Sequence, residues 1–404
     1  MNICSYGFYY EFLLLASMID FDNTEIAFRQ KSDEELKQSY WLFKLMSNGF
    51  LAKKGPSMLQ TALKLRLPLL SLVKKTLFKQ FCGGESIEEC EPTMAMLDKA
   101  YTGAILDFSV EGALGESAYT LTSDEIVRTI HYAKNDRRVP FAVFKPSGVI
   151  RFKLLEKICA GKTLESSEQV EFFKAKARIN HICKSAYDAD VPVMFDAEES
   201  WIQKAVDAIA LDMMRMYNQD KAIVFNTYQL YRNDKLDSLQ NDVFQAQNEE
   251  FILGAKLVRG AYLEKENARA AKMGYSSPLY ATKEATDKAY NDALSFCVEN
   301  IKDVAIVAGT HNEESCLILS ELMRKHNLPE DHAHIYFAQL LGMSDNVSFN
   351  LAYMGYNVVK YVPYGPVKEV LPYLFRRAEE NKSVIGKTGR ELSLITNERK
   401  RRGI

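Results

Sequence analysis

The sequence predicts an α/β fold, a (β/α)8-type barrel preceded by a helical arm. Three observations carry that expectation. From about residue 105 onward, eight short runs rich in β-branched and aromatic residues recur along the chain. Each run is continuously apolar rather than alternating, the pattern of strands buried on both faces of a parallel sheet. Between them lie longer stretches of helical periodicity, sufficient for right-handed crossover connections.

The runs are ILDFSVE (105–111), FAVFKPSG (141–148), VPVMFDAEE (191–199), AIVFNTYQ (222–229), AKLVRGAY (255–262), VAIVAGT (304–310), IYFAQLLG (335–342) and NVVKYVPYG (357–365). Eight such units in series point to closure. An open doubly wound sheet commonly carries a GxGxxG turn after its first strand, and here the nearest glycine cluster, GALG at 112–115, has the wrong spacing. Polar residues gather at the C-terminal ends of the runs: Asp107 and Glu111, Lys145, Asp196 and Glu198, Asn226, Arg259 and Tyr262, Thr310 and His311, Gln339, Tyr361. In (β/α)8 enzymes the active site sits at that rim, where the βα loops converge above a filled interior.

Residues 1–95 show no comparable strands and read as a helical arm, 96–390 as the barrel and 391–404 as a basic tail. The apolar N-terminal stretch is interrupted by Glu11 and lacks a basic leader and a cleavage pattern, so a core-facing helix is expected there. Residues 53–79 hold seven basic side chains and no acidic one, with leucines near helical spacing and Pro68 as an interruption. An amphipathic helix packed on the barrel, its basic face in water, is the plain reading; docking on an anionic membrane surface is the functional one. The final NERKRRGI reads as a solvated, disordered end.

With 404 residues, 47% of them hydrophobic, the chain can bury one large core. Its 51 Lys and Arg against 53 Asp and Glu give a net charge of −2, which offers no overall attraction to nucleic acid and favours small-molecule chemistry. Seven scattered cysteines without a CxxC pair suit reduced thiols in a cytosolic compartment. No metal is expected: Cys82 and Cys90 lack ligand spacing, and the His332, His334 pair precedes the seventh run, away from the rim. No run reaches the roughly 18 uninterrupted apolar residues of a membrane-spanning helix. The expected location is cytoplasmic, with peripheral attachment to the cytoplasmic or inner membrane as an option.

The densest chemistry lies in the last helical stretch, PVKEVLPYLFRRAEEN, directly after the eighth run. Tyr373, Arg377 and Glu380 share one helix face and Arg376 lies beside them. Two adjacent arginines at a pocket can clamp a carboxylate through bidentate hydrogen bonds, a geometry lysine cannot reproduce. A small carboxylate substrate follows, with Tyr361 and Tyr364 as aromatic walls.

The segments KLVRGAYLEKE and KYVPYGPVKEVLPYLFRRAEEN resemble the two signature regions of the proline dehydrogenase family. The resemblance continues, in the family's order, through LDFSVEG, FKPSG, FDAEES, FNTYQLY, AGTHNEES and FAQLLGM, and covers roughly residues 100–385. It implies a distorted TIM-like barrel, noncovalently bound FAD, oxidation of L-proline to 1-pyrroline-5-carboxylate, and transfer of the electrons to a membrane quinone. A pyrroline-5-carboxylate dehydrogenase is a possible partner for the product. KYVPYGP resembles the monofunctional branch more than the bifunctional fusions.

Residue by residue, Arg376 and Arg377 match the family's carboxylate-binding arginines, with Lys145 as a further cationic contact. Tyr262, Leu340, Tyr361 and Tyr373 match the wall around the proline ring. Glu380 matches the acid that pairs with the active-site lysine, Asp196 lies in the supporting segment, and Glu111 matches an acid that gates the pocket. For the flavin, Lys256 and Asn226 match polar contacts, Val258, Gly260 and Ala261 would face the cofactor through the backbone, and Thr310, His311 and Asn312 would meet its adenosine half. The alternatives to this reading are an FAD barrel reductase of the methylenetetrahydrofolate reductase type and a noncatalytic scaffold.

Overall fold

A computed structural model describes residues 19–46, 73–109, 115–383 and 387–404. Eight parallel strands close into a barrel in sequence order: β1 (Gly103–Phe108), β2 (Phe141–Phe144), β3 (Val193–Phe195), β4 (Val224–Gln229), β5 (Leu253–Val258), β6 (Val304–Gly309), β7 (Ile335–Leu340) and β8 (Val358–Tyr364). Each expected run supplies one strand. Closure is made by β1 against β8, paired from Gly103 and Val359 to Phe108 and Tyr364.

Side chains of a strand alternate between barrel interior and helix layer. The outward set, including Leu106, Phe195, Val224, Tyr228, Leu257 and Ile306, packs with the surrounding helices into the main core. The inward set fills the lower barrel with Ile105, Phe141, Val143, Met194, Phe225, Val307 and Val359. Phe141 is the plug, edge-on to Phe225 at 5.6 Å and to Tyr336 at 4.8 Å between ring centroids. With the floor packed, only the C-terminal mouth is left for polar inward residues.

The arm contributes α1 (Thr24–Phe28), α2 (Asp33–Met46), a π-turn at Lys74–Phe78 and α3 (Glu91–Lys99). Helix α3 crosses the boundary expected at residue 95, and its Met94 and Leu97 are buried in the main core. Helices α4 (Glu116–Lys134), α5 (Phe152–Cys159), α6 (Ser166–Ala189), α7 (Ser200–Tyr217), α8 (Lys235–Asn248), α9 (Leu263–Met273), α10 (Lys283–Glu299), α11 (Glu313–Lys325) and α12 (Asp345–Tyr353) lie between strands. Helix α13 (Val367–Ser383) follows β8. The arm meets the barrel at the end of β7, where Gln80 donates to the Gly342 carbonyl at 2.9 Å. Gly342 has φ +75°, and a Cβ there would lie 2.1 Å from the Gln80 carbonyl oxygen, so this contact requires glycine.

The apolar N-terminal stretch and most of residues 53–79 lie outside the described residues. In the described part, Val73 and Phe78 are buried, Lys74 pairs with Glu85, and Lys79 lies 4.0 Å from Glu35. Among the described residues no helix is long and apolar enough to cross a membrane.

The basic tail is not a disordered end. It forms α14 (Lys387–Arg402), whose Leu394 and Ile395 are buried against Ala27, Phe28, Leu36 and Phe43 of the arm. Its charges are consumed locally: Arg401 and Arg402 bind Glu398, Arg402 reaches the carbonyls of Phe28 and Lys31, and Arg390 joins Asp22 and Glu313. The apolar pair that docks the helix lies just upstream of the charged run, so charge density alone does not reveal the buried face. A buried charge network extends this union to the barrel. Lys360 on β8 is fully buried, with Nζ 3.0 Å from Asp345 Oδ1 and 2.6 Å from the Met343 carbonyl. Lys31 lies 3.5 Å from the other Asp345 oxygen, and Glu391 of α14 accepts from the Ser344 amide.

Burial, reinforced by Asp345, pushes the Glu391 carboxyl up to about 7. A carboxyl raised above its unfolded value of about 4.3 contributes stability that is full below that value and lost as pH rises toward 7, at about 1.4 kcal/mol per pH unit per group. The stability advantage of wild type over Glu391→Gln should therefore shrink between pH 5 and 8. Urea unfolding of both proteins across that range checks it; a constant difference would show that Glu391 does not titrate there.

Candidate active site

The mouth is organised by Asp196, the first residue after β3. Its Oδ1 accepts from Lys256 Nζ of β5 at 2.6 Å and its Oδ2 from the Tyr361 hydroxyl of β8 at 2.6 Å. The Lys256 ammonium also lies 4.9 Å from the Tyr361 ring centroid. Three strands are thus bonded across the barrel rather than along its wall. Burial pushes the Asp196 carboxyl up, but the charges of Lys256 and Lys145 and the two hydrogen bonds outweigh it and hold it below the ordinary range. Burial, with Asp107 and Asp196 nearby, drives the Tyr361 phenol far above 10, so it stays a donor.

A second pair stands beside the first. Lys145, at the end of β2, lies 3.4 Å from Asp107 Oδ2 of β1, and Asp107 also accepts from the Ser109 hydroxyl. The wall above is apolar and aromatic: Leu340 packs both in the barrel cluster containing Tyr361 and in the arm cluster containing Tyr373. Helix α13 brings Arg377, buried, over the Tyr373 ring at 4.8 Å, with Arg376 half-buried next to it. Lys145, Asp196, Leu340, Tyr361, Tyr373, Arg377 and Lys256 therefore belong to one mouth. Tyr262 stands on its rim at the start of α9, its ring under the Lys265 ammonium at 5.3 Å. Glu111 lies outside the described residues, as does the side chain of Glu380.

The flavin residues expected from the sequence divide. Val258 sits two residues beyond Lys256, on the inward face and partly accessible, beside Gly309 of β6; Gly260 and Ala261 are exposed at the rim. This sector combines small side chains with open backbone, and Lys256 lies at its base, paired with Asp196. Gly260, at φ +135°, is required for another reason as well, since a Cβ would fall 2.5 Å from the Tyr231 ring.

Asn226 does not point into the mouth. It lies on the outward parity of β4 with Val224 and Tyr228, and its amide donates to Asp207 of α7 at 2.9 Å, between strand and helix rather than in the mouth. The β4 amide that points inward is Gln229, which donates to the Glu198 carbonyl at 2.7 Å. Thr310 and Asn312 are held by the protein: Thr310 accepts from Arg259 at 2.7 Å, and Asn312 caps α11 through the Ser315 amide at 3.0 Å. Arg259 itself clamps β5 to Asp287, Thr310 and Ser315 and lies over Tyr290. His311, half-buried, shares a hydrogen bond with Ser344 at 3.0 Å.

The Asp196 hub carries a stability test. Asp196→Asn leaves the Lys256 ammonium buried without its counter-ion, a loss of about 3–5 kcal/mol. Tyr361→Phe removes one hydrogen bond to a charged group, about 1.5–3 kcal/mol. Denaturant unfolding should rank the two in that order; equal losses would mean that Lys256 does not depend on Asp196.

The family model described as proline dehydrogenase matches residues 90–390. The chain is 31% identical over 433 residues to the mitochondrial proline dehydrogenase 1 of Dictyostelium discoideum, covering 95% of this chain and 75% of that protein. It is 44% identical over 239 residues to the mitochondrial proline dehydrogenase 1 of Homo sapiens, covering 58% of this chain but only 40% of the human protein. In fold it is similar to proline utilization A of Bdellovibrio bacteriovorus, inactivated by N-propargylglycine, with a TM-score of 0.70 at 19% identity over 88% of this chain and 38% of that one. The chain belongs to the proline dehydrogenase family of oxidoreductases.

Proposed function

We propose that this protein oxidises L-proline to 1-pyrroline-5-carboxylate with noncovalently bound FAD and passes the electrons to a membrane quinone. The observation that carries the reading is the meeting of α13, with Arg376, Arg377 and Tyr373, and the Lys145, Asp196, Lys256 and Tyr361 group at one barrel mouth. Family membership favours it over a methylenetetrahydrofolate reductase or a scaffold. FAD would rest on the sector of Val258, Gly260 and Ala261, with Lys256 beneath and His311, Thr310 and Asn312 toward its adenosine half. When bound, it supplies the two-electron acceptor.

The chain's own residues bind and orient. Arg376 and Arg377, with Lys145, hold the substrate carboxylate through charge-assisted hydrogen bonds. Leu340, Tyr361, Tyr373 and Tyr262 enclose the ring and exclude water, which fixes one ring carbon for transfer. In the overall reaction a C–H bond gives up a hydride, the ring nitrogen loses its proton, and a C=N bond forms. Substrate must therefore react as the free amine, whose lone pair assists hydride loss. Tyr361 stays protonated and serves as wall and donor. Glu111 would gate entry and Glu380 would pair with Lys145. A pyrroline-5-carboxylate dehydrogenase would consume the product, and the basic segment at 53–79 would make the membrane contact.

Anaerobic L-proline should bleach the visible flavin band of the purified protein. Arg376→Met and Arg377→Met should keep the flavin and lose about 1.5–3 kcal/mol of substrate binding, roughly ten- to a hundredfold in KM. Tyr361→Ser should raise kcat/KM for 4-hydroxyproline relative to proline by opening room at the ring. A colourless or unbleached wild type would sink the reading, and an Arg377→Met enzyme with normal KM would remove the carboxylate clamp.

A further inference from the structure

Lys145 stands at the start of a short turn, Pro146–Gly148, closed by Gly148 donating to the Lys145 carbonyl at 2.9 Å. The orientation of its ammonium depends on how that turn is fixed. Glu198, buried and two residues beyond Asp196, grips it from the neighbouring loop. Its Oε1 accepts from the Ser147 amide at 2.8 Å and its Oε2 from the Ser147 hydroxyl.

Glu198 is itself held on two sides. Its amide donates to Gln203 of α7 at 3.1 Å and its carbonyl accepts from Gln229 of β4 at 2.7 Å. Gln203 is fixed in turn by Asp207 at 2.8 Å, the carboxylate that also takes Lys235 and Asn226. A chain of buried polar contacts therefore runs from the helix layer to the turn that carries the lysine.

We propose that Glu198 is a positioning residue for Lys145: by accepting both polar hydrogens of Ser147 it sets the turn from which the lysine reaches the mouth. The deeper consequence concerns substrate affinity, and it rests on the reading above that Lys145 meets the substrate carboxylate. Burial raises the Glu198 carboxyl to about 7 against the Ser147 hydrogen bonds. The charged groups facing it are Glu199 on its own loop, which raises it further, and Lys145, which opposes; α7 and β4 present the neutral amides of Gln203 and Gln229. Protonation replaces an acceptor by a donor in the grip on Ser147, so the hold on the lysine loosens as pH falls through neutrality.

The test is a double-mutant cycle in the flavin-loaded protein with wild type, Glu198→Gln, Ser147→Ala and the combination. Flavin content, kcat and KM for L-proline are measured from pH 6 to 8.5, with binding of cyclopentanecarboxylate by calorimetry as an activity-free readout. Each single change should raise KM and the calorimetric Kd about fivefold or more with kcat within about twofold, less than the roughly tenfold or more of a lost hydrogen bond to a charged group because Lys145 is displaced rather than removed. The double variant should be no worse than the poorer single one, because both remove the same contact. Glu198→Gln should also abolish the change in Kd with pH near 7 that wild type shows. Multiplying effects, or an unchanged KM and Kd in both single variants, would overturn the proposal. A purely structural Glu198 would instead reduce flavin content or folding yield and leave KM and Kd of the folded fraction unaltered, which also overturns it. Should wild type neither oxidise proline nor bind the probe, the proposed function fails rather than this inference.

Discussion

The Asp196 carboxylate is the point on which the mouth depends. It receives Lys256 from β5 and Tyr361 from β8, while Lys145 from β2 acts on it through space. Burying a carboxylate and an ammonium is unfavourable unless both are paired and hydrogen-bonded. Here the pairing is complete on both oxygens, so the arrangement holds only if three strands keep their register around the closed barrel. Closure by β1 against β8 is consequently part of the site's chemistry, since a barrel open at that seam would separate Tyr361 from Asp107 and Asp196.

A second constraint comes from Lys360. It occupies an outward position of β8 and is fully buried, so the fold must cover it with partners that water would otherwise supply. Asp345 and the carbonyls of Met343 and Leu340 do so, with the Glu391 carboxyl nearby, while Lys31, a like charge, joins the network through the other oxygen of Asp345. The arm and α14 thus complete the β7–β8 side of the barrel, the side that carries Tyr361 and Leu340. Ser344 links that network to His311 through a 3.0 Å hydrogen bond, which ties the rim of β6 to the same assembly.

The barrel was readable because strands buried on both faces leave continuous apolar runs, and the mouth because polar residues end those runs. Face was harder to read than position. AIVFNTYQ is apolar on both parities until its end, so nothing local separates inward Gln229 from outward Asn226; only their partners, Glu198 and Asp207, do. Glu198 was visible as a polar strand end, but its role depends on Ser147, 51 residues earlier, a pairing that periodicity does not encode. The tail failed for a related reason. Charge density suggested solvation, whereas Leu394 and Ile395 face a surface assembled from residues near the other end of the sequence.

The state of Tyr361 connects these levels. Its hydroxyl is committed to Asp196, and its proton is held there by burial and by two nearby carboxylates. A phenol fixed at its oxygen has its ring fixed as well, and that ring packs in one cluster with Leu340 beneath the Lys256 ammonium. The surface offered to a substrate is therefore aromatic and aliphatic rather than hydroxylic, although the residue is a tyrosine. On the proposed function, recognition would separate by chemistry: the cations of α13 and of the β2 end would address the carboxylate, and the wall the hydrocarbon ring. Because Asp196 fixes the phenol and neutralises Lys256 at once, the same carboxylate keeps the wall in place and the cation tolerable inside the barrel, and neither function can be altered without the other.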